Sequence, residues 1–354
     1  MKTKYSSYNL NGLPEGCKYC VRGEKLVLFI SGICSRSCWY CSLSKKRKNK
    51  DIVWANERVC KSEKDFIYEV KDSNATSMGI TGGDPLLFLN RTLKYAKIAK
   101  KKFGKKFHIH IYLPTKLVTK DKIKKLSKYV DEIRFNPEYS IRKNEEALKE
   151  DIEKIKIASL FYKKENIGIE LPMIPNRKKD FLKLILELKE NIGFVNLNEF
   201  ELSESNLSIV TKKYKLNEGG YVISDSKQAG IWLLHELKER KVKLQVHFCT
   251  AELKNDHQFR NRLLRYNLLP FGYRTSEGMV KYLAIYCKNK KEFDSLIKQF
   301  PKNKVYADHK KLRMIISEKT AHELINSKEN KNKISLVEEF PTHDRIETEK
   351  QELN

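Results

Sequence analysis

Ile33-Cys34-Ser35-Arg36-Ser37-Cys38-Trp39-Tyr40-Cys41 sets three cysteines at C-x3-C-x2-C spacing, directly after the apolar run Lys25–Ile33. Three thiolates this close suit three corners of a cubane [4Fe–4S] cluster and leave the fourth iron without a protein ligand. An open iron is what a chemical role requires, because a small molecule can then chelate it. Structural zinc is the alternative, but it takes four protein ligands and usually paired C-x2-C units. The chain has 354 residues and eight cysteines, five of them between Cys17 and Cys41. Its first residues, MKTKYSSYNLNG, lack an apolar signal core. The expectation is therefore a cytoplasmic setting, where clustered cysteines bind metal rather than pair as disulfides.

Outward from the triplet, short apolar strands alternate with Lys-rich helical stretches. Strands are predicted at Lys25–Ile33, Ser77–Thr81, Phe107–Leu113, Glu132–Phe135, Ile167–Leu171, Val195–Leu202 and Lys243–Phe248. Helices are predicted at Ser62–Val70, Arg91–Lys102, Thr119–Tyr129, Asn144–Phe161, Lys179–Glu190 and Ala229–Glu239. Such alternation implies right-handed βα crossovers and a parallel sheet. Its length suits a full or partial (β/α) barrel, with a doubly wound open sheet as the alternative. After about Leu264 the pattern changes to a small α+β appendage, ending in a polar tail, Arg345–Asn354, that is expected to fray. The implied division is 1–24 as an N-terminal segment, 25–263 as the barrel and 264–354 as the small domain.

A second motif, Ile80-Thr81-Gly82-Gly83-Asp84-Pro85, closes the second strand. Alone it would be an ordinary turn. One βα unit after a C-x3-C-x2-C, it resembles the GGE/DP segment of the radical S-adenosylmethionine (SAM) superfamily, as the triplet with its aromatic residue before Cys41 resembles that superfamily's signature. The resemblance covers roughly residues 25–205. GCKYCVRGEKLVLFISGICSRSCWYC and the ending SLVEEFPTHDR are further similar to an archaeal group related to pyruvate formate-lyase activating enzyme.

That resemblance implies an α/β fold with a full or partial radical SAM barrel. It implies that Cys34, Cys38 and Cys41 ligate a [4Fe–4S] cluster and that SAM chelates the open iron. It further implies an electron donor such as ferredoxin or flavodoxin, and cleavage of SAM to a 5′-deoxyadenosyl radical that abstracts hydrogen from a substrate. Tyr40 would lie against the adenine, and the backbone of Gly82, Gly83, Asp84 and Pro85 would meet the methionine amino group. Thr115 or Asn136, at strand ends, would contact the ribose. Glu170 falls in a fifth strand, IGIELPMIP, that matches the family's adenine motif in part. In such barrels the C-terminal ends of the strands form the active rim.

Cys17-Lys18-Tyr19-Cys20 and His247-Phe248-Cys249 leave two options open: a Cys3His zinc site or an auxiliary iron–sulfur cluster, against buried free thiols. A shared site needs the N-terminal segment to fold back, or the late strand to run antiparallel. Cys60 and Cys287 sit among apolar neighbours and read as core.

Lys and Arg outnumber Asp and Glu 71 to 45, a net charge of +26. The balance excludes an acidic-tail protein and points to a polyanion, nucleic acid first. Lys45–Lys50 carries five cations next to the triplet, with Trp39, Tyr40 and Trp54 placed to stack bases. No run of residues is long and apolar enough for a membrane span. Three functions follow: radical modification of tRNA or rRNA, activation of a glycyl-radical protein, or non-catalytic nucleic-acid binding by a metalloprotein.

Overall fold

The computed structural model describes residues 1–301, 303–327 and 332–354, and these form two units. Residues 1–71 with 75–259 make the first, and residues 72–74 with 260–354 make the second. None of its helices, among the described residues, is long and apolar enough to cross a membrane.

The first unit is built on one sheet. In chain order its strands are β1 (Tyr8–Leu10), β2 (Lys25–Phe29), β3 (Trp54–Ala55), β4 (Arg58–Val59), β5 (Ser77–Thr81), β6 (His108–Pro114), β7 (Glu132–Asn136), β8 (Ile167–Met173), β9 (Phe194–Glu199) and β10 (Gln245–Cys249). Their spatial order is β1-β10-β9-β8-β7-β6-β5-β2-β3-β4. From β2 through β5 to β10 every pairing is parallel, and helices such as Glu63–Asp72, Leu89–Phe103 and Lys178–Leu188 make the crossovers. β2 and β10 do not pair with each other, so the barrel is partial. β1 lies antiparallel on β10 and β3 antiparallel on β2.

Side chains along a strand alternate between faces, and here the faces differ in chemistry. Leu26, Leu28, Ile109, Ile111, Ile133, Phe135, Val195, Leu197, Val246 and Phe248 belong to one buried apolar cluster beneath the helices. The alternate positions carry Lys25, His110, Tyr112, Glu132, Arg134, Glu170, Asn196, Asn198 and His247, and these face inward.

Between β1, an edge strand, and β2 the chain must cross to the far side of the sheet. Helix Glu15–Val21 occupies that path and enters the barrel. The Gly16 N–H donates to Glu132 Oε2 (2.9 Å), and a side chain at Gly16 would meet Arg134, Glu132 and His110 at 2.8 Å. One short helix reaches β6, β7 and β9 because the sheet is curved. The N-terminal segment thus folds back, as the sequence required for any meeting of Cys17 with β10.

The second unit is an antiparallel sheet flanked by helices Lys290–Lys298 and Glu318–Ile325. Its strands are β11 (Tyr273–Arg274), β12 (Val280–Tyr286), β13 (Val305–Asp308), β14 (Arg313–Ile316), β15 (Ile334–Glu339) and β16 (Glu347–Glu352), in the order β13-β14-β12-β15-β16 with β11 on β12. The tail expected to fray is instead β16, zipped onto β15. Glu347 anchors it by accepting from Lys311 (2.7 Å) and Tyr286 (2.6 Å).

Candidate active site

The three cysteines lie on an irregular loop that leaves the C-terminal end of β2, and each is partly exposed. Four other strand ends hold that loop. From β5, Asp84 accepts from Ser35 Oγ (2.5 Å), and the Gly83 and Asp84 N–H groups donate to Ser31 (2.7 Å) and Ile33 (3.1 Å) carbonyls. Beyond β6, Lys116 donates to the Ser35 carbonyl (3.0 Å). At β7, Arg36 donates to the Asn136 carbonyl (2.5 Å) and pairs with Glu138 (2.8 Å), while Tyr40 donates to Ser140 Oγ (2.6 Å). Past β9, Ser205 Oγ donates to the Cys41 carbonyl (2.9 Å) and Asn206 to that of Tyr40 (3.2 Å).

The Gly82-Gly83 pair is explained by this contact. Gly82 has φ +151°, and a Cβ there would sit 2.7 Å from the Ser31 carbonyl oxygen. A Cβ on Gly83 would stand 2.2 Å from the Ile33 oxygen and 2.9 Å from Cys34 Cβ. Only glycine lets the end of β5 dock against the cysteine loop. Asp84 turns the chain by accepting from the Leu86 N–H (2.9 Å), and its burial raises its pKa.

Arg36 is the electrostatic centre of the loop. Its side chain is 3% exposed, and one of its nitrogens lies 3.4 Å from Cys38 Sγ. Burial pushes the Cys34 and Cys38 thiols up, and Arg36 opposes the shift at both. The donor set fits an iron–sulfur cluster: three reduced cysteines within one loop at the active rim, and a cation beside them to offset thiolate charge.

The other predicted residues spread over the barrel. Thr115 donates to the buried Asp151 (2.6 Å), which also caps the Glu138 (2.9 Å) and Tyr139 (2.7 Å) N–H groups. Asn136 ends β7 beside Arg36. Glu170 points inward, accepting from Asn196 and Asn198 (both 2.6 Å) and pairing with Arg134 (3.3 Å). In the same interior, Cys17 donates to Asn196 Oδ1 (3.5 Å) and lies 3.4 Å from the Arg134 guanidinium. His247 shares Asn196 Oδ1 (2.8 Å), and burial pushes its pKa down to about 3, with Arg134 and Lys254 adding to the shift. Cys249 accepts from Gln258 (3.5 Å), a residue of the π-helix Leu253–Phe259, and packs with Val21 and Leu253. Burial raises Cys17 and Cys249 to about 12, so both stay thiols near neutral pH. Among the described residues no three His, Cys, Asp or Glu side chains converge on one point, the loop cysteines included, so the fit of Cys34, Cys38 and Cys41 to a cluster is one of donor chemistry and shared loop. Cys17 and His247 are joined through Asn196 rather than through a shared ligand position.

Sequence reasoning missed Arg36, Lys116, Ser140, Ser205 and Asn206. Arg36 alone carried a signal, a cation inside the triplet. The aromatics expected to stack bases are already partnered: Trp54 is 6% exposed beneath Lys46 and Arg47, and Trp39 stacks on Tyr214 (6.2 Å).

Residues 28–149 match the Radical SAM superfamily. A Methanocaldococcus jannaschii protein named "Putative glycyl-radical enzyme activating enzyme" is 38% identical over 288 residues, covering 78% of this chain and 74% of that protein. The chain belongs to the radical SAM superfamily and is an enzyme of that class, whose cofactors are a [4Fe–4S] cluster and SAM. Among solved structures, coproporphyrinogen III oxidase from Escherichia coli aligns over 64% of this chain at 11% identity, TM-score 0.39. Methylornithine synthase aligns over 66% of this chain and 71% of its own, at 13% identity and TM-score 0.43. The chain spans 56% of the length of the Escherichia coli oxidase.

Proposed function

We propose that this enzyme is an activase: it uses a radical generated from SAM to take a hydrogen atom from a glycine of a partner protein. The observation that carries this is the 38% identity, over 78% of the chain, to the protein named as a glycyl-radical enzyme activating enzyme. Cys34, Cys38 and Cys41 would hold the cluster, and the GGDP segment and the β7 end, which tether their loop, would help to bind SAM. Bound together, cluster and SAM supply one-electron cleavage to a 5′-deoxyadenosyl radical. The chain's own residues fix the cysteine loop at the rim. Reduction needs an external donor, a small electron-transfer protein such as ferredoxin or flavodoxin.

RNA modification rests on net charge alone. Lys46 and Arg47 stack on Trp54 and the Lys45 N–H is held by Glu204 (3.0 Å), which ties the basic run to the protein itself. The test is anaerobic incubation of the loaded enzyme, SAM and reductant with a co-encoded protein whose glycines carry deuterium. Deuterium in 5′-deoxyadenosine with a protein-borne radical is expected. Unlabelled 5′-deoxyadenosine, with a new modified nucleoside when RNA is supplied, would overturn the assignment.

A further inference from the structure

After β9 the chain does not pass straight into the next helix. Residues 201–224 make an excursion before helix Ser226–Glu239, closed at its root by the bridges Glu201–Val222 and Leu216–Ile223. Backbone bonds sew that root together. The Leu202 N–H donates to the Tyr221 carbonyl (2.8 Å), Ile223 to Phe200 (2.9 Å), Asn217 to Val222 (2.8 Å) and Ser224 to Lys215 (2.9 Å). The residues between are therefore carried on a firm support.

Those residues, 203–214, run along the second half of the cysteine loop and hold it at successive positions. Trp39 stacks on Tyr214 with ring planes 6° apart, and Lys213 Nζ lies 4.9 Å from the Trp39 ring centre. Asn206 donates to the Tyr40 carbonyl (3.2 Å), and the Ser205 and Ser203 hydroxyls donate to the Cys41 carbonyl (2.9 and 3.3 Å). Glu204 accepts from the Lys45 N–H (3.0 Å). The other tethers act elsewhere on the loop: Asp84 and Lys116 hold Ser35, and Arg36 reaches Cys38 from the end of β7. Among the described residues, Cys41 has hydrogen-bond partners only in its own loop, at the Cys38 carbonyl (3.2 Å), and in this excursion. The loop is thus held in two halves by different parts of the barrel.

We propose that residues 203–214 are the positioning device for the third cluster ligand, with Asn206 and Tyr214 acting through the loop to hold Cys41. Asn206 is wholly buried, and its amide serves two ends. Its Oδ1 accepts from the Ser203 N–H (2.8 Å) and shapes the turn, while its Nδ2 reaches the loop. A cubane cluster fixes three thiolates at once, so ligation orders the chain between them. Holding the Cys41 segment in advance removes part of that ordering cost and strengthens iron binding. The proposal rests on the radical SAM class and not on the activase assignment.

Hydrogen exchange of the iron-free full chain, read by mass spectrometry, tests the tether itself. Iron release to EDTA after anaerobic reconstitution tests its consequence. Asn206→Asp keeps the acceptor for Ser203 and loses the donor to Tyr40; Tyr214→Leu removes the stacked ring, and Tyr214→Phe keeps it. Asn206→Asp and Tyr214→Leu should each speed exchange in residues 39–45 about fivefold, the effect of losing one ordinary interaction of hydrogen-bond strength. Residues 29–36 should exchange as in the wild type. Both variants should release iron faster by a similar factor, and Tyr214→Phe should match the wild type in both measurements. Unchanged exchange in residues 39–45, or iron release at the wild-type rate, overturns the proposal. So does faster exchange in both halves of the loop with a lower melting temperature, which would assign the excursion a merely structural role.

Discussion

The Arg36 guanidinium lies 3.4 Å from Cys38 Sγ while pairing at 2.8 Å with Glu138, so one buried cation ties the cysteine loop to the end of β7. Removing it leaves Glu138, 14% exposed, without its ion-pair partner. Arg36→Ala should cost about 3–5 kcal/mol in denaturant unfolding, and the protein that remains folded should take up less iron on reconstitution. Lys in its place restores the charge but not the fork that reaches Asn136, Glu138 and Cys38 together. Iron uptake by Arg36→Lys should therefore fall between wild type and Ala. Equal iron in all three proteins would show that the loop needs no such tie.

Gly83→Ala places a methyl group 2.2 Å from the Ile33 carbonyl oxygen, and the obstacle is backbone. The loop must shift, at a cost of about 1–3 kcal/mol. Lower melting temperature and weaker SAM binding in calorimetry are expected together. An unaffected SAM affinity would mean that the contact is only structural.

Acid should weaken the first unit through His247. Its folded pKa, about 3, lies below the ordinary 6.5 because it is buried and faces Arg134 and Lys254. Below about pH 6.5 the unfolded chain binds a proton that the folded chain refuses, so stability falls as pH drops toward 3. The slope from this group is about 1.4 kcal/mol per pH unit. His247→Gln should flatten the stability–pH curve by about that amount between pH 6 and 4, measured by urea unfolding. A parallel curve would mean that the imidazole takes up its proton in the folded state as well.

Much of this fold is legible in the sequence. Ser77–Thr81 is a strand at the predicted bounds, and the other parallel strands shift by a few residues at their ends. β1 is only three residues long and helix Glu15–Val21 only seven, too short for periodicity to stand out. β16, ETEKQE, is almost wholly polar, and only its pairing with β15 makes it a strand. In the site, the triplet and GGDP announce themselves by spacing. The polar interior is also written in the strands: His-Ile-His-Ile-Tyr in β6 and Glu-Ile-Arg-Phe-Asn in β7 alternate strictly. Such alternation normally means one face on water. Here the polar face turns into the barrel, which only the closure of the sheet decides. The tethers on the cysteine loop come from residues 49 to 166 positions away, and no local pattern announces them.

The central claim is that Cys34, Cys38 and Cys41 together hold the cluster at which SAM is cleaved. Iron content and 5′-deoxyadenosine formation, measured on anaerobically reconstituted wild type and on each single Cys→Ala variant with SAM and a chemical reductant, test it most directly. The wild type should carry about four irons per chain and form 5′-deoxyadenosine, while each variant should lose cleavage and most of its iron. Full cleavage by any one of the three variants would contradict the account.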